Sequence, residues 1–372
     1  MAVTVKHILA LVEEQAPASL ALAWDRVGLQ VGHPEQEVKT LVVALEPSEA
    51  VLQGAVEAGA QMVLTHHPVL FQPLECLRLD TPTGRLLSLA LKHNLALAAA
   101  HTNLDIAEHG LNDFLARTLE LNQIQVLQET QADSWYKLAV FVPIGYEDQV
   151  RQALFDDRTG VIGRYAHCSF AARGEGTYRP LAGAQPFRGE VTVLSRASES
   201  RLEILVPESR VAAVIERLRA AHPYEEVAYD LYPLKNPGRS LGLGRVGEWP
   251  EARPWPQVVQ HLKTLFQVSI IKAVGQPPEM VKKVALCGGS GGDLIEAAWK
   301  QGAELYLSGD IRYHQAVPWA LESMAILDLG HYATESIFMP AWGQKLQERL
   351  DQEGMPVKVI IDAWGQDPFH YL

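Results

Sequence analysis

Short apolar runs recurring between Ala- and Leu-rich amphipathic stretches constrain this 372-residue chain more than any other feature. In the first third the runs are Thr40 to Leu45, Gln61 to Leu64 and Leu95 to Ala100. Runs this short and this uniformly apolar suit strands buried on both faces, with the intervening helices as crossovers of a largely parallel sheet. Val5 to Gln15 reads as an amphipathic helix stopped by Pro17. The pattern returns in the last third with Lys283 to Cys287, Glu304 to Leu307, Ala325 to Leu329 and Pro356 to Ile361. The predicted class is α/β, with both flanks of the chain completing one domain.

The middle has a different texture. Tyr136 to Pro143 and Arg201 to Pro207 read as strands, Glu147 to Phe155 and Ser209 to Ala221 as helices, and Glu226 to Leu234 as a last strand. LAVFVPIGYEDQVRQAL and LEILVPESRVAAVIERL align as a repeat of strand, Val-Pro turn and amphipathic helix. A doubled β-α-β unit predicts an inserted ferredoxin-like α+β domain. Lys235 to Ser240 has the composition of a linker. The expected division is 1–130 for the first half of the α/β domain, 131–240 for the insert and 241–372 for the second half.

Four of the strand runs end in metal-competent side chains: VLTHH, LAAAHTNLD, LYLSGDIRYH and LDLGHYATE. Ligands of open α/β sheets collect beyond the carboxyl ends of strands, so these residues can converge although far apart in sequence. Imidazole and carboxylate donors without thiolate suit divalent zinc, manganese, iron or nickel. Neighbouring side chains on an extended segment point to opposite sides, and Pro68 favours that geometry at His67, so His66 and His67 are expected to serve one ion each. His331 and Glu335 stand at i and i+4, on one face of a helix opening after Gly330; His101 and Asp105 have the same spacing. Two ions need a shared carboxylate, which such a set can supply.

LCGGSGGDLIEAA, residues 286–298, places a glycine-rich turn between a strand and a helix that Asp293 can cap. Exposed amides there would cradle an anion; a tight turn that binds nothing is the equal alternative. In WDRVGLQVG, Asp25 and Gln30 are read first as turn-forming and capping residues rather than cleft residues.

A formal charge of −12 opposes phosphate backbones and anionic lipid, which excludes nucleic acid as a favoured partner. Cys76, Cys168 and Cys287 lie far apart, without the spacing of a disulfide framework or thiolate zinc site, and fit a reducing cytoplasm. No uninterrupted apolar run approaches the roughly 18 residues of a membrane span, and Glu13 and Glu14 interrupt the N-terminal run too early for a signal peptide.

WDRVGLQVG, LTHHPVLF, HTNLD, GDIRYH and GHYATE, in this order, resemble the GTP cyclohydrolase 1 type 2 homologue family, the NIF-three-like dinuclear metal-centre proteins. GRYAHCSF, GEGTYRP and HPYEEVAYD look like the PII/CutA-like insert of its longer bacterial members. The resemblance implies two metal ions on His66, His67, Asp105, His331 and Glu335. Glu335 would bridge, with His66 and His331 completing one shell and His67 and Asp105 the other. It gives His101 and His314 a role in supporting the ligands or transferring protons, and it implies a homohexamer. The implied reaction is hydrolytic opening of the guanine imidazole ring of GTP by metal-bound hydroxide; the glycine-rich turn, Gly289, Ser290, Gly291 and Gly292, is where the triphosphate would then rest. The alternatives are another hydrolase, such as a phosphoesterase or amidase, and a non-catalytic metal-binding or sensing hexamer. The family more often has Asn at Arg26 and Asp at Glu46, departures that touch none of the implied ligands.

Overall fold

The computed structural model describes residues 2–370 and divides into two compact units, Met1–Gln131 with Leu241–Leu372, and Ala132–Ser240. Thirteen strands are described: β1 (Gly28–Val31), β2 (Thr40–Ala44), β3 (Met62–Thr65), β4 (Ala96–Ala99), β5 (Asn122–Pro143), β6 (Ser169–Tyr178), β7 (Ser195–Pro207), β8 (Tyr229–Pro254), β9 (Lys272–Val274), β10 (Met280–Ser290), β11 (Leu305–Gly309), β12 (Ala325–Asp328) and β13 (Lys358–Ile361).

The first unit contains two sheets rather than the single sheet that the strand runs imply. One has the order β1–β4–β3–β2–β13, with β2, β3, β4 and β13 parallel and β1 antiparallel at the edge. The other runs β8–β10–β11–β12–β9, parallel through β10, β11 and β12 and antiparallel at both edges. Sequence periodicity reports burial but not which strand pairs with which, so one sheet and two read alike. β13, from the end of the chain, pairs with β2 from its beginning, so the flanks are interlaced.

Each sheet is covered on both faces. Along β2, Leu41 and Val43 enter one apolar cluster and Val42 and Ala44 another, all fully buried. That is why the run shows no polar alternation. The larger cluster holds Leu64 and Ala98 of the first sheet together with Leu286, Leu305 and Leu327 of the second, so one core joins them. Truncating Leu41 or Leu64 to Ala would cost about 2–5 kcal/mol. The helix Val5–Gln15 contributes Val5, Ile8, Leu11 and Val12 from one face and begins where Thr4 N donates to His7 Nδ1 at 3.0 Å.

The second unit has two helices, Glu147–Leu154 and Val211–Ala221, on a sheet containing β6, β7 and β5 in that order, antiparallel throughout. Its core consists of Leu138, Val140, Val142, Val150 and Leu154 with Leu202, Ile204, Val206, Val214 and Leu218. These are the same five positions of each half of the sequence repeat, so the repeat is the core. Lys235 to Ser240, expected as a linker, is extended strand within β8. Glycine and proline are compatible with extended backbone as well as with turns, and composition alone does not separate the two. Among the described residues no helix is long and apolar enough to cross a membrane.

Candidate metal centre

The centre is built at the carboxyl ends of strands from both sheets of the first unit. β3 ends at Thr65, whose hydroxyl donates to the His67 carbonyl at 2.6 Å and bends the chain away from extended geometry. His66 and His67 therefore do not point to opposite sides: their ring centroids are 4.9 Å apart, and both are buried. β4 leads into His101, which precedes the helix Thr102–Ile106 carrying Asp105. After β12, Gly330 at φ +91° turns the chain into the helix His331–Ser336, so His331 and Glu335 share its first turn as expected. Only a residue without Cβ takes that backbone conformation freely.

Each of the four imidazoles has Nδ1 beside an oxygen acceptor. His66 Nδ1 lies 3.0 Å from the Ala100 carbonyl, His67 Nδ1 2.6 Å from Glu46, His101 Nδ1 2.9 Å from Asp25 and His331 Nδ1 2.8 Å from Asp310. An acceptor at Nδ1 draws the ring proton there and leaves Nε2 with its lone pair, the arrangement that orients metal-binding histidines. The Nε2 atoms meet: those of His67 and His331 are 3.3 Å apart. Glu335 spans the centre, with Oε2 3.0 Å from His331 Nε2 and 3.2 Å from His67 Nε2, and Oε1 3.7 Å from His66 Nε2. Asp105 Oδ1 lies 3.5 Å from His66 Nε2.

All five expected ligands are thus brought together, but the division differs. His66 groups with Asp105 and His67 with His331, the reverse of the implied pairing, while Glu335 offers one oxygen to each group. The reason is the bend after Thr65, which turns His67 toward the second sheet. His101 brings a ligand atom within 4.8 Å of His66 and His67. His314 is exposed on the short helix Tyr313–Ala316, and its described ring contact is with Tyr313. The strand end after β11 instead delivers Asp310 to His331.

His66 Nε2, His67 Nδ1, Asp105 Oδ1 and Glu335 Oε2 are buried without a well-aligned hydrogen bond, His67 Nδ1 despite the Glu46 oxygen 2.6 Å away. Such orphans carry a penalty of several kcal/mol unless something binds them. The electrostatics have the same sense. Burial acts to lower the His67 pKa, but the facing carboxylates of Glu335 and Glu46 push it up to about 10; at His331, burial is likewise outweighed by Glu335 and Asp310, giving about 9. Burial would raise Glu335, yet the facing imidazoles of His331, His66 and His67 hold it well below the carboxylate range, whereas burial raises Asp105. The cluster gathers positive charge on protons where cations would sit. Buried N and O donors in this number could hold a metal ion.

Sequence reasoning underrated Asp25. It is buried, and four donors converge on it: His101 Nδ1 (2.9 Å) and Arg26 N (2.7 Å) at Oδ1, Thr102 N (2.9 Å) and Thr102 Oγ1 (2.5 Å) at Oδ2. Burial works against its ionisation, but hydrogen bonds from His101 and Thr102 keep its pKa far below the usual value. Gln30 accepts from Val69 N (2.7 Å) and Leu70 N (3.2 Å), fixing the segment after His67. Glu46 and Asp310, absent from the expected set, stand one or two residues beyond strand ends, so the strand-end rule itself could have found them.

Three amides of the glycine-rich turn are already engaged within the protein. Gly288 N donates to Asn112 Oδ1 at 3.0 Å, Gly289 N to Thr334 Oγ1 at 3.0 Å and Gly291 N to Ser308 Oγ at 2.9 Å, all buried. The chain then makes a 3-10 turn, Gly292–Leu294, and the short helix Ile295–Lys300, while Asp293 accepts from Gln315 Nε2 at 2.8 Å rather than capping. Of the four residues expected to contact substrate, Gly289 and Gly291 thus have their amides taken by protein side chains, while Ser290 is exposed. At Gly289, where φ is +64°, a Cβ would lie 2.1 Å from Glu335 Oε1.

Beside the centre, a cavity of about 880 Å³ is lined by His67, His331, Phe71, Tyr332 and the segment Gly365 to His370. Fold and site together define an α/β protein whose strand ends assemble a buried imidazole–carboxylate centre fit for metal. The chain belongs to the Duf34/NIF3 (NGG1p interacting factor 3) family, whose profile matches residues 3–368. It is 39% identical over 367 residues to the Bacillus subtilis protein named GTP cyclohydrolase 1 type 2 homolog, covering 99% of this chain and 98% of that one. The Mycobacterium tuberculosis protein of the same name is 33% identical over 379 residues, covering 99% and 98%. Among solved structures, the Bacillus cereus protein related to NIF3 superposes with a TM-score of 0.92 at 36% identity over the whole of both chains.

Proposed function

We propose that this chain is a hydrolase dependent on two divalent cations held by His66, His67, Asp105, His331 and Glu335. The observation that carries the reading is the arrangement of four histidines, each with Nδ1 facing an oxygen acceptor, around buried N and O atoms that lack partners. Zinc, manganese, iron or nickel at such a site supplies Lewis acidity and makes water a nucleophile near neutral pH. The protein's own residues do the rest. Asp105 and His66 form one group of donors, His67 and His331 the other, and Glu335 joins them. Glu46 and Asp310 hold the rings of His67 and His331. His101, its Nδ1 proton fixed by Asp25, presents Nε2 as the base that takes a proton and returns it to the leaving atom. His314 is exposed, and among the described residues its ring contact is with Tyr313, so in this reading the proton-transfer role falls to His101 alone.

The name carried by the relatives makes hydrolytic ring opening of the guanine of GTP the first reaction to test. A second reading, an amidase-type hydrolase of a less anionic substrate, is favoured by the cavity walls. Glu46, Asp310, Asp328, Asp362 and Asp367 line the cavity, whereas Lys272 already pairs with Asp328 at 2.6 Å. Residues 132–240 read as an inserted ferredoxin-like domain: element order is β-α-β-β-α-β, and strand order β6–β7–β5–β8 is that of the split β-α-β fold. A homohexamer in a reducing cytoplasm completes the proposal.

The test is anaerobic purification with metal quantification, then mass-spectrometric turnover of GTP, a phosphoester panel and an amide panel. Bound metal should approach two per chain and fall in His66→Ala and Glu335→Ala. Unchanged stoichiometry in both variants would refute the ligand set, and full occupancy without turnover of any panel would leave a metal-binding or sensing protein.

A further inference from the structure

Two sequence motifs, GEGTYRP and HPYEEVAYD, take no part in the metal centre. In the second unit they meet at a cavity of about 530 Å³, to which Gly176 and Arg179 of the first motif and Tyr224 and Glu226 of the second contribute. Glu199, on β7, also lines it and is only 8% exposed. Among the described residues, the hydrogen bond Glu199 receives comes from the Tyr224 hydroxyl, 2.9 Å from Oε1. Oε2 faces Gly176, where a Cβ would lie 2.2 Å away, so a residue with a side chain would displace the carboxylate.

A carboxylate accepts up to about four hydrogen bonds, and one this buried with a single neutral donor has capacity to spare. The walls limit what can use it. Phe187 and Tyr224 stand with ring centroids 5.8 Å apart, and the Tyr178 hydroxyl donates to the Arg188 carbonyl at 2.7 Å, tying down the segment that carries Phe187. Arg188 sits 5.5 Å from the Phe187 centroid, and Arg179, Glu225 and Glu226 are exposed at the rim. Aromatic walls suit a flat ring, and a buried carboxylate requires that ring to present N–H rather than an anion.

We propose that this cavity binds a small amino-heterocycle, uncharged or singly protonated, with its N–H edge on Glu199 and its ring against Phe187 and Tyr224. The site is independent of the metal-centre reading, since every group it uses lies in residues 132–240. A benzene ring bearing a carboxylate would set like charge against Glu199.

The experiment is calorimetric titration of the full-length protein with 2-aminopyrimidine, adenine and cytosine, and with benzoate as the anionic control. Amino-bearing rings should bind and benzoate should not. Glu199→Gln should weaken binding roughly 10- to 100-fold, as expected for a bond to a charged acceptor, with bound metal unchanged. Phe187 is half exposed, so Phe187→Ala leaves the fold intact and should weaken the same probes. Absence of binding by all three rings, benzoate binding as tightly as they do, or parental affinity in both variants would overturn the proposal.

Discussion

Replacing Asp25 by Asn tests whether His101 acts through its Nε2 lone pair. The carboxylate receives four donors, two on each oxygen, and the amide can accept on one side only. With NH₂ at the Oδ2 side, the buried Thr102 N–H would be orphaned; at the Oδ1 side, the losers are Arg26 N, on an exposed residue that water reaches, and His101 Nδ1. The second arrangement is cheaper. It sets an N–H donor against Nδ1, so the imidazole proton moves to Nε2 and closes the lone pair facing His66 and His67. The expected cost is the loss of one hydrogen bond to a charged acceptor, about 1.5–3 kcal/mol of stability. Activity should fall about 10²- to 10⁴-fold, the usual contribution of a positioned base, while bound metal stays at the parental level. Nitrogen-15 imidazole spectra of the metal-loaded variant report the tautomer directly, alongside metal analysis and kcat. A His101 ring that keeps its proton on Nδ1, or metal lost in proportion to activity, would refute the argument; the latter would make His101 a ligand.

Gly289→Ala should lower metal content and cost about 1–3 kcal/mol in thermal stability, because the new Cβ meets Glu335 at a left-handed backbone position; normal occupancy would show that Glu335 has room to move. In the metal-free protein His67 and His331 titrate near 10 and 9, above their ordinary 6.5, so a cation must displace their protons. Metal affinity, measured by titration calorimetry in buffers of different ionisation enthalpy, should therefore rise about tenfold per pH unit for each proton displaced, levelling as pH reaches their folded values. The sign for stability is opposite: these raised pKa values stabilise the metal-free fold fully below 6.5, and that contribution fades as pH climbs through 9 to 10. Replacing residues 132–240 by a short linker should preserve metal binding, since the Thr130 hydroxyl lies 3.3 Å from the Leu241 carbonyl and the cut ends are neighbours; loss of both solubility and metal would count against an independent insert.

The strand runs and their His, Asp and Glu endings were legible because burial on both faces leaves apolar residues at every position of β2, β3 and β4 except the terminal Thr40 and Thr65. The repeat in the middle segment was legible for the same reason, its ten apolar positions being the whole described core of that unit. What stayed hidden depends on single hydrogen bonds. Nothing in THHP says that Thr65 will take the His67 carbonyl, yet that bond decides which histidine joins which carboxylate. LYLSGDIRYH offered Asp310 and His314 alike, and only the turn after β11 chooses the aspartate. The glycine run looked like an anion cradle because its partners, Asn112, Thr334 and Ser308, are 176, 45 and 17 residues away.

Those same partners explain how the centre is held. Asn112 accepts from Gly288 N and donates to the Asp105 carbonyl at 3.0 Å, so one buried amide ties the end of β10 to the helix carrying a metal-competent carboxylate. Thr334, between His331 and Glu335, accepts from Gly289 N and ties the same strand end to the helix carrying Glu335. The glycine turn thus clamps both carboxylate-bearing helices. Because a clamp acts through position, Asn112→Ala should disturb Asp105 before it disturbs the fold. The expected sign is a weaker second metal-binding step with the first nearly unchanged, since His67, His331 and Glu335 do not depend on that amide. Equal weakening of both steps would mean that the two groups of donors do not fill separately, and the bridged two-ion reading would have to give way to a single shared ion.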